Sequence, residues 1–215
     1  SFYFHNKPFA GNNMIFYGTD FLKTAKNDSI KQETGNITAG NKQLYSVSLT
    51  TLKVEQLSFK ALPMSGEIVA PQNRLVYYQV RDSVFSTHID SKETKLLYVF
   101  PADFKAGITT INSNETLLAG AWSSDKEKEI SKKNPGKSSY FDLIYEAKEP
   151  RTLFTLNVNT GELKKIFTDS AWLNYVQFSS KDPNLLMFCH EGPWHKVDRI
   201  LTIDLSTGKA KMMHK

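Results

Sequence analysis

The chain has 215 residues, of which 40% are hydrophobic and 23% are charged, so it can bury a sizeable core and has an ordinary globular composition. Its formal net charge is +5, but the basic residues are scattered, and the densest run, KEKEISKK from Lys126, alternates in sign. We therefore interpret that run as a solvated loop and predict no nucleic-acid binding. No apolar stretch approaches the length of a membrane-spanning helix, so we predict no membrane insertion.

Short β-rich runs, separated by turn residues, recur along the chain as units of two successive strand pairs. The first pair of each unit is KPFAGNNMIFYG, EIVAPQNRLVYYQV, ITTINSNETLLAGAW or VQFSSKDPNLLMFCH. The second pair begins at Leu44, Ser86, Leu153 or Ile200, and the last two turn at Asn-Thr-Gly and Ser-Thr-Gly, where glycine accepts a positive φ. Four such units predict an all-β protein, a β-propeller with about four four-stranded blades. A β-sandwich has the same strand content, but the repeated double pair disfavours it.

The repeat also predicts the domain organisation. We expect a single propeller domain over residues 1–215, or the N-terminal part of a larger one, with blades at about 1–58, 66–100, 106–168 and 173–213. Four blades are the low end of the usual range. An incomplete ring would expose unpaired strands at its edges, so we also predict self-association through those edges.

The long insertions are expected on one face of the predicted propeller. Residues 21–40, 123–149 and 192–198 each connect a second to a third strand, and the link 170–176 between blades falls on the same face. Loops gathered at one rim often carry function. We therefore expect His190, His195, Arg151 and Tyr175 to converge there.

Each of these candidates also has a structural interpretation. His190 follows an apolar strand and could be a buried, hydrogen-bonded core residue, while His195 could be a solvent-facing loop residue. Arg151 could pair with a nearby glutamate. Trp172 could be core or could stack on a sugar ring, and Cys189, flanked by apolar residues, is expected to be packed rather than nucleophilic.

One segment resembles a known family. The stretch DSAWLNYVQFSSKDPNLLMFCHEGPWHKVDRI, from Asp169, is similar to the central segment of the oligogalacturonate lyases, and its CHEGP core is fairly specific. FYFHNKPFAGNNMIFYGTD resembles the first blade of that family, and RTLFTLNVNTGELKKIF resembles the hairpin before the AWL segment. The resemblance runs over essentially the whole chain.

The resemblance implies a seven-bladed propeller that cleaves short galacturonate oligomers from pectin by β-elimination, giving 4,5-unsaturated uronates. It implies a divalent cation, typically manganese, to offset the substrate carboxylate charge. The family's metal ligands belong to later blades, and we find no metal ligands in this chain. By position, Arg151 matches a catalytic arginine and Tyr175 stands where the family has its base histidine. Phenols are weak bases near neutral pH, because their reference pKa is about 10.

The remaining site predictions concern binding of an acidic oligosaccharide. We expect His190, Glu191, His195, Trp172 and Lys7 to contact oligogalacturonate. Two hypotheses stay open: an oligogalacturonate lyase, and a non-catalytic relative that binds acidic oligosaccharides or a protein partner. The tyrosine in place of histidine favours weak or no activity. The compartment stays open between bacterial cytoplasm and periplasm.

Overall fold

A computed structural model describes residues 8–19, 42–193 and 196–214. In these residues the chain forms four antiparallel sheets of four strands each, and every sheet follows the order of the sequence. The first two sheets contain β1 (Phe9–Ala10), β2 (Asn13–Thr19), β3 (Lys42–Ser48) and β4 (Val54–Gln56), then β5 (Ser65–Ala70), β6 (Leu75–Val80), β7 (Ser83–His88) and β8 (Thr94–Val99). The last two contain β9 (Ala106–Ile111), β10 (Leu117–Ser123), β11 (Arg151–Asn157) and β12 (Leu163–Asp169), then β13 (Trp172–Phe178), β14 (Leu185–Glu191), β15 (Ile200–Asp204) and β16 (Lys209–His214).

The strand pairs are those that the alternation of apolar runs and turn residues predicts. The turn glycines Gly161 and Gly208 have φ of 71° and 68°, which only glycine adopts without a steric cost. Each sheet is a meander in which neighbouring strands are joined in sequence. The predicted fold class, an all-β propeller with four-stranded blades, is confirmed.

The chain divides into two compact units, Ser1–Val99 and Phe100–Lys215. In the first unit, residues such as Leu44, Val76 and Tyr78 form a buried apolar cluster contributed by both sheets. In the second, Leu153, Leu173 and their neighbours do the same. Each unit therefore has its own core, as two adjacent blades require when each blade buries a face against the next.

The insertion between β10 and β11 corrects one prediction. The run KEKEISKK is not a loop but most of helix α1 (Asp125–Lys133), and a second helix, α2 (Lys137–Ala147), follows it. Acidic residues occupy the first turn of α1 and basic residues its last turn, which complements the helix dipole. In the described part of the chain, neither helix combines the length and the hydropathy that a membrane crossing requires.

Gly120 is expected to be the least replaceable glycine of the second unit. It lies in β10 at a register shift against β9, and an added Cβ would stand 1.8 Å from the carbonyl oxygen of Gly107. Because backbone must move to relieve that contact, we expect Gly120→Ala to lower the free energy of unfolding by about 3 kcal/mol or more. Gly208→Ala is the control: nothing lies within 4 Å of its added Cβ, so only the positive φ costs stability, about 1 kcal/mol. Chemical denaturation of both variants measures the difference, and equal losses would contradict it.

Candidate functional site

A buried ion pair joins the inserted helix α1 to the start of β11. Arg151 Nε donates to both carboxylate oxygens of Glu127, at 3.0 and 2.8 Å, and Arg151 Nη2 donates to Glu127 Oε1. The two side chains are only 15% and 4% exposed. Arg151 Nη1 also donates to the carbonyl oxygen of Leu173 at 2.6 Å. One guanidinium therefore ties together α1, β11 and β13.

The sequence around Ser124 explains why α1 begins where it does. Ser124 Oγ accepts a hydrogen bond from the backbone N–H of Glu127, which caps the helix, and donates to Glu149 Oε2 at 2.9 Å. Lys126 Nζ lies 2.7 Å from Glu149 Oε1. Lys126 and the Ser124 hydroxyl together lower the pKa of Glu149. The two ends of the insertion are thus held together, which fixes Glu127 next to Arg151.

Helix α2 covers Trp172, the first residue of β13. The indole packs edge-on against the rings of Tyr140 and Phe141, with centroid distances of 5.9 and 5.6 Å, and it is 7% exposed. The guanidinium carbon of Arg151 lies 5.5 Å from the Trp172 ring centroid. Trp172 therefore packs between the helix and the arginine.

Tyr175 lies at a β-bulge in β13. The pairing with β14 runs from Asn174 opposite Cys189 to Gln177 opposite Met187, so two residues of β13 face one residue of its partner. Tyr175 has φ of 53°, a left-handed conformation that is unusual for a bulky residue. Its side chain is 37% exposed.

Three polar contacts hold the bulge in this shape. The backbone N–H of Tyr175 donates to Asn174 Oδ1 at 2.9 Å, and Asn174 Nδ2 donates to Glu191 Oε2 at 2.7 Å. Glu191 is 4% exposed. On the other side of the strand, Thr109 Oγ1 donates to the carbonyl oxygen of Val176 at 3.1 Å. The glutamate of the CHEGP stretch therefore supports the backbone that presents Tyr175.

His190 is half-buried at the end of β14. Its Nε2 lies 3.5 Å from Asp169 Oδ2, at the limit of an ion pair, and makes no hydrogen bond to any described residue. Burial lowers the pKa of His190 below its ordinary value of 6.5, against the opposing pull of the Asp169 and Asp198 carboxylates. His190 is thus largely neutral near pH 7.

Five of the predicted site residues lie close together in the second unit. Arg151 begins β11, Trp172 faces Glu191 across the β13–β14 ladder, and His190 faces Leu173 one position along. Tyr175 follows within the same strand. The other two predicted residues, Lys7 and His195, lie outside the described residues.

The structure adds residues that the sequence reasoning missed. Glu127 carries a signal in the Ser-x-x-Glu spacing from Ser124, which is typical of a helix N-terminus. The spacing of Tyr140, Phe141, Ile144 and Tyr145 indicates the apolar face of α2. Asn174 carries no comparable signal, since its role depends on a bulge.

The burial of Glu127 predicts a large cost for its removal. Glu127→Ala would leave the Arg151 guanidinium buried without its counter-ion, so we expect a loss of about 3–5 kcal/mol in unfolding free energy. Glu129→Ala on the same helix removes a carboxylate that pairs with Lys133 at the surface, and we expect a change within about 0.5 kcal/mol. Denaturation of the two variants side by side measures this contrast. A loss below about 1 kcal/mol for Glu127→Ala would show that the pair contributes little.

The lowered pKa of His190 predicts a pH-dependent stability. Below pH 6.5 His190 becomes protonated in the unfolded chain before it does so in the folded chain. The free energy of unfolding therefore falls as the pH drops from 6.5 toward the lower pKa of folded His190. We expect His190→Gln to flatten this dependence between pH 7.5 and 5, and Asp169→Asn, which removes the carboxylate that raises the His190 pKa, to steepen it. Denaturation series at several pH values measure the slopes. Parallel slopes in all three proteins would contradict the assignment.

Comparison with known proteins shows which family the chain resembles. The family model described as oligogalacturonate lyase matches residues 11–214. An oligogalacturonate lyase of Dickeya dadantii is 26% identical over 182 residues, which cover 83% of this chain and 46% of that protein. A solved oligogalacturonate lyase in complex with manganese has a TM-score of 0.74 at 22% identity, over 98% of this chain and 52% of that one. The oligogalacturonate lyase of Vibrio parahaemolyticus has a TM-score of 0.74 at 23% identity, over 97% and 51%.

These matches differ in what they show. The two solved structures support the propeller fold, and the chain spans about half the length of the relatives it matches. The family model covers nearly all of the sequence, including the AWL and CHEGP segments from which the resemblance was drawn. This chain belongs to the oligogalacturonate lyase family.

Proposed function

We propose that the chain acts on short galacturonate oligomers by β-elimination. Deprotonated Tyr175 takes the C5 proton, the C4=C5 double bond forms, and the C4–O bond breaks so that its oxygen leaves with a proton from water. The observation that carries this proposal is the exposed Tyr175, with its left-handed φ, on a bulge that Asn174 and Glu191 hold, in a chain of this family. A fixed backbone lowers the entropic cost of placing the side chain for proton transfer.

Arg151 is proposed as the donor that stabilises the charge that develops on the substrate carboxylate. Removal of the C5 proton places negative charge on that carboxylate, and a preorganised donor lowers the free energy of the transition state. Arg151 uses Nε, Nη2 and one Nη1 hydrogen on Glu127 and Leu173, and its remaining Nη hydrogens are those a substrate would use. Because Glu127 balances its charge, Arg151 would act through directed hydrogen bonds.

A divalent cation is the expected cofactor of the family, and manganese is present in one solved relative. Within residues 8–19, 42–193 and 196–214, no three His, Cys, Asp or Glu side chains come together as a metal site. The described residues therefore do not fit the role of manganese ligands. The proposed steps involve no metal ion bound by these residues.

Binding of the oligomer is proposed to involve His190 at the end of β14. Glu191 and Trp172 would act indirectly, since both are buried. Lys7 and His195 remain predicted contacts with the oligomer. Self-association through open strand edges also remains a prediction. The alternative function, a non-catalytic propeller that binds acidic oligosaccharides, is favoured by one observation: a tyrosine occupies the position where the resemblance places a base histidine.

The test follows the ultraviolet absorbance of the unsaturated uronate, with digalacturonate and trigalacturonate, with and without added manganese. If Tyr175 is the base, Tyr175→Phe should lower the rate about 100-fold, because the hydroxyl is lost and the ring is kept. Tyr175→His should retain or raise the rate, since imidazole is the better base near neutral pH. Tyr17→Phe, at an exposed tyrosine of β2, is the matched control and should be unchanged.

Two other outcomes would change the assignment. Turnover that survives Tyr175→Phe would show that another group removes the proton. A flat trace in the natural sequence, together with retained binding of digalacturonate, would favour the non-catalytic function.

A further inference from the structure

The turn between the third and fourth strands has the same hydrogen-bond pattern in all four described sheets. The side chain of its first residue accepts a hydrogen bond from a backbone N–H two or three positions later. Its fifth residue has a left-handed φ, between 57° and 71°, and donates its N–H to the carbonyl oxygen of the first. The first residues are Ser48, His88, Asn157 and Asp204, and the fifth residues are Leu52, Lys92, Gly161 and Gly208.

His88 differs from the other three acceptors because its hydrogen-bonding capacity depends on pH near neutrality. Its Nδ1 accepts from the backbone N–H groups of Asp90 and Ser91, at 3.2 and 3.3 Å. Backbone N–H groups only donate, so Nδ1 must carry a lone pair and the imidazole must be neutral. Hydroxyl and amide oxygens accept at any pH, and hydrogen bonds from Ser206 lower the pKa of Asp204, which therefore stays a carboxylate. Imidazole is the side chain that gains charge between pH 8 and 5.

The turn that begins at His88 is tied to the first sheet through Arg74. The Arg74 guanidinium donates from Nη2 to Asp90 Oδ1 at 2.7 Å and from Nε to Asp90 Oδ2. It also donates to the carbonyl oxygen of Ala10 at 3.2 Å and to Asn13 Oδ1 at 3.1 Å, on either side of the β1–β2 turn. The carbonyl oxygen of Arg74 accepts from the N–H of Ile89, which is 1% exposed. Asp90 therefore holds the arginine that joins the first sheet to the second.

The charges around His88 come from its own turn and from the strands beside it. The charged residues there are Asp90, Lys92 and Glu93 in the turn, Lys95 in β8, Glu55 in β4 and Arg74 before β6. Asp90 Oδ2 lies 4.0 Å from His88 Nδ1, so an imidazolium would be attracted to the carboxylate that Arg74 binds. The hydrogen bond from Arg74 lowers the pKa of Asp90, and the hydrogen bond from Lys92 is the main cause that lowers the pKa of Glu55 to about 2. Both carboxylates therefore stay charged at pH 5.5.

We propose that His88, Asp90 and Arg74 form a pH-sensitive latch on the junction between the first two sheets. While the imidazole is neutral, Nδ1 accepts from the turn and the Asp90 carboxylate stays on Arg74. Once Nδ1 takes a proton from water it can no longer accept, and its new N–H competes with Arg74 for that carboxylate. The turn then loses two hydrogen bonds and Arg74 is held less firmly, so the junction opens more often at mildly acidic pH.

Amide hydrogen exchange of the whole chain, followed by NMR at pH 7.5 and 5.5, tests the latch. The reporter is the buried N–H of Ile89, which exchanges only when it separates from the Arg74 carbonyl oxygen. Its protection factor, which corrects for the intrinsic effect of pH on exchange, should fall about tenfold on acidification. In His88→Asn, which copies the acceptor at Asn157, the protection factor should be the same at both pH values.

Two further variants serve as controls. His88→Ser copies the acceptor at Ser48 and should also remove the pH response of Ile89, which guards against a local misfit of asparagine. His190→Gln removes a histidine of the second unit and should leave that response unchanged. The latch involves residues of the first unit alone, so its test does not depend on the proposed reaction.

Three outcomes would overturn the latch. The first is a protection factor of Ile89 that stays constant in the natural sequence. The second is a fall of the same size in His88→Asn and His88→Ser, since the response would then come from another group. The third is a fall that disappears in His190→Gln.

Discussion

The ion pair between Glu127 and Arg151 is the interaction on which the rest of the site depends. Both charges are almost fully removed from water, which costs free energy unless nearly every donor and acceptor finds a partner. Glu127 accepts from two guanidinium nitrogens, and the Leu173 carbonyl accepts from the third. A packed apolar pair could stabilise the fold as well, but it could not fix the position of a carbonyl in β13. The main effect of the pair is therefore to fix the position of the Leu173 carbonyl in β13, the strand that carries Tyr175.

Much of the fold was predictable because its determinants are local. Alternating apolar runs and turn residues identified the strand pairs, since a hairpin is decided within a dozen residues. Arg151 was identified together with the possibility of a glutamate partner, and the structure supplies that partner. The sequence did not show that this partner is Glu127, because Glu127 lies in a run of alternating charge that is typical of a solvated surface. The cap at Ser124 was the stronger signal, since it depends on backbone chemistry rather than on overall polarity.

The bulge at Tyr175 shows where sequence reasoning ends. Its left-handed φ depends on a shift in register against β14, and register is a property of two strands together. Nothing in the letters around Tyr175 shows that Asn174 will accept from its N–H or that Glu191 will hold the Asn174 amide. Because Glu191 follows a histidine in a loop-like motif, the sequence predicts that it contacts the ligand. Its burial instead makes it part of the support for the residue that reaches solvent.

The insertion between β10 and β11 supplies what the strand ends lack. The start of β11, the bulge in β13 and the end of β14 carry Arg151, Tyr175 and His190, but an isolated arginine there could take several orientations. Helix α1 adds the counter-ion Glu127, which fixes the orientation of the Arg151 guanidinium. Helix α2 packs Tyr140 and Phe141 on Trp172, the ring that lies beside the same guanidinium. The insertion therefore restrains Arg151 both through its counter-ion and through its ring neighbour, and a change that weakens one of these contacts need not weaken the other.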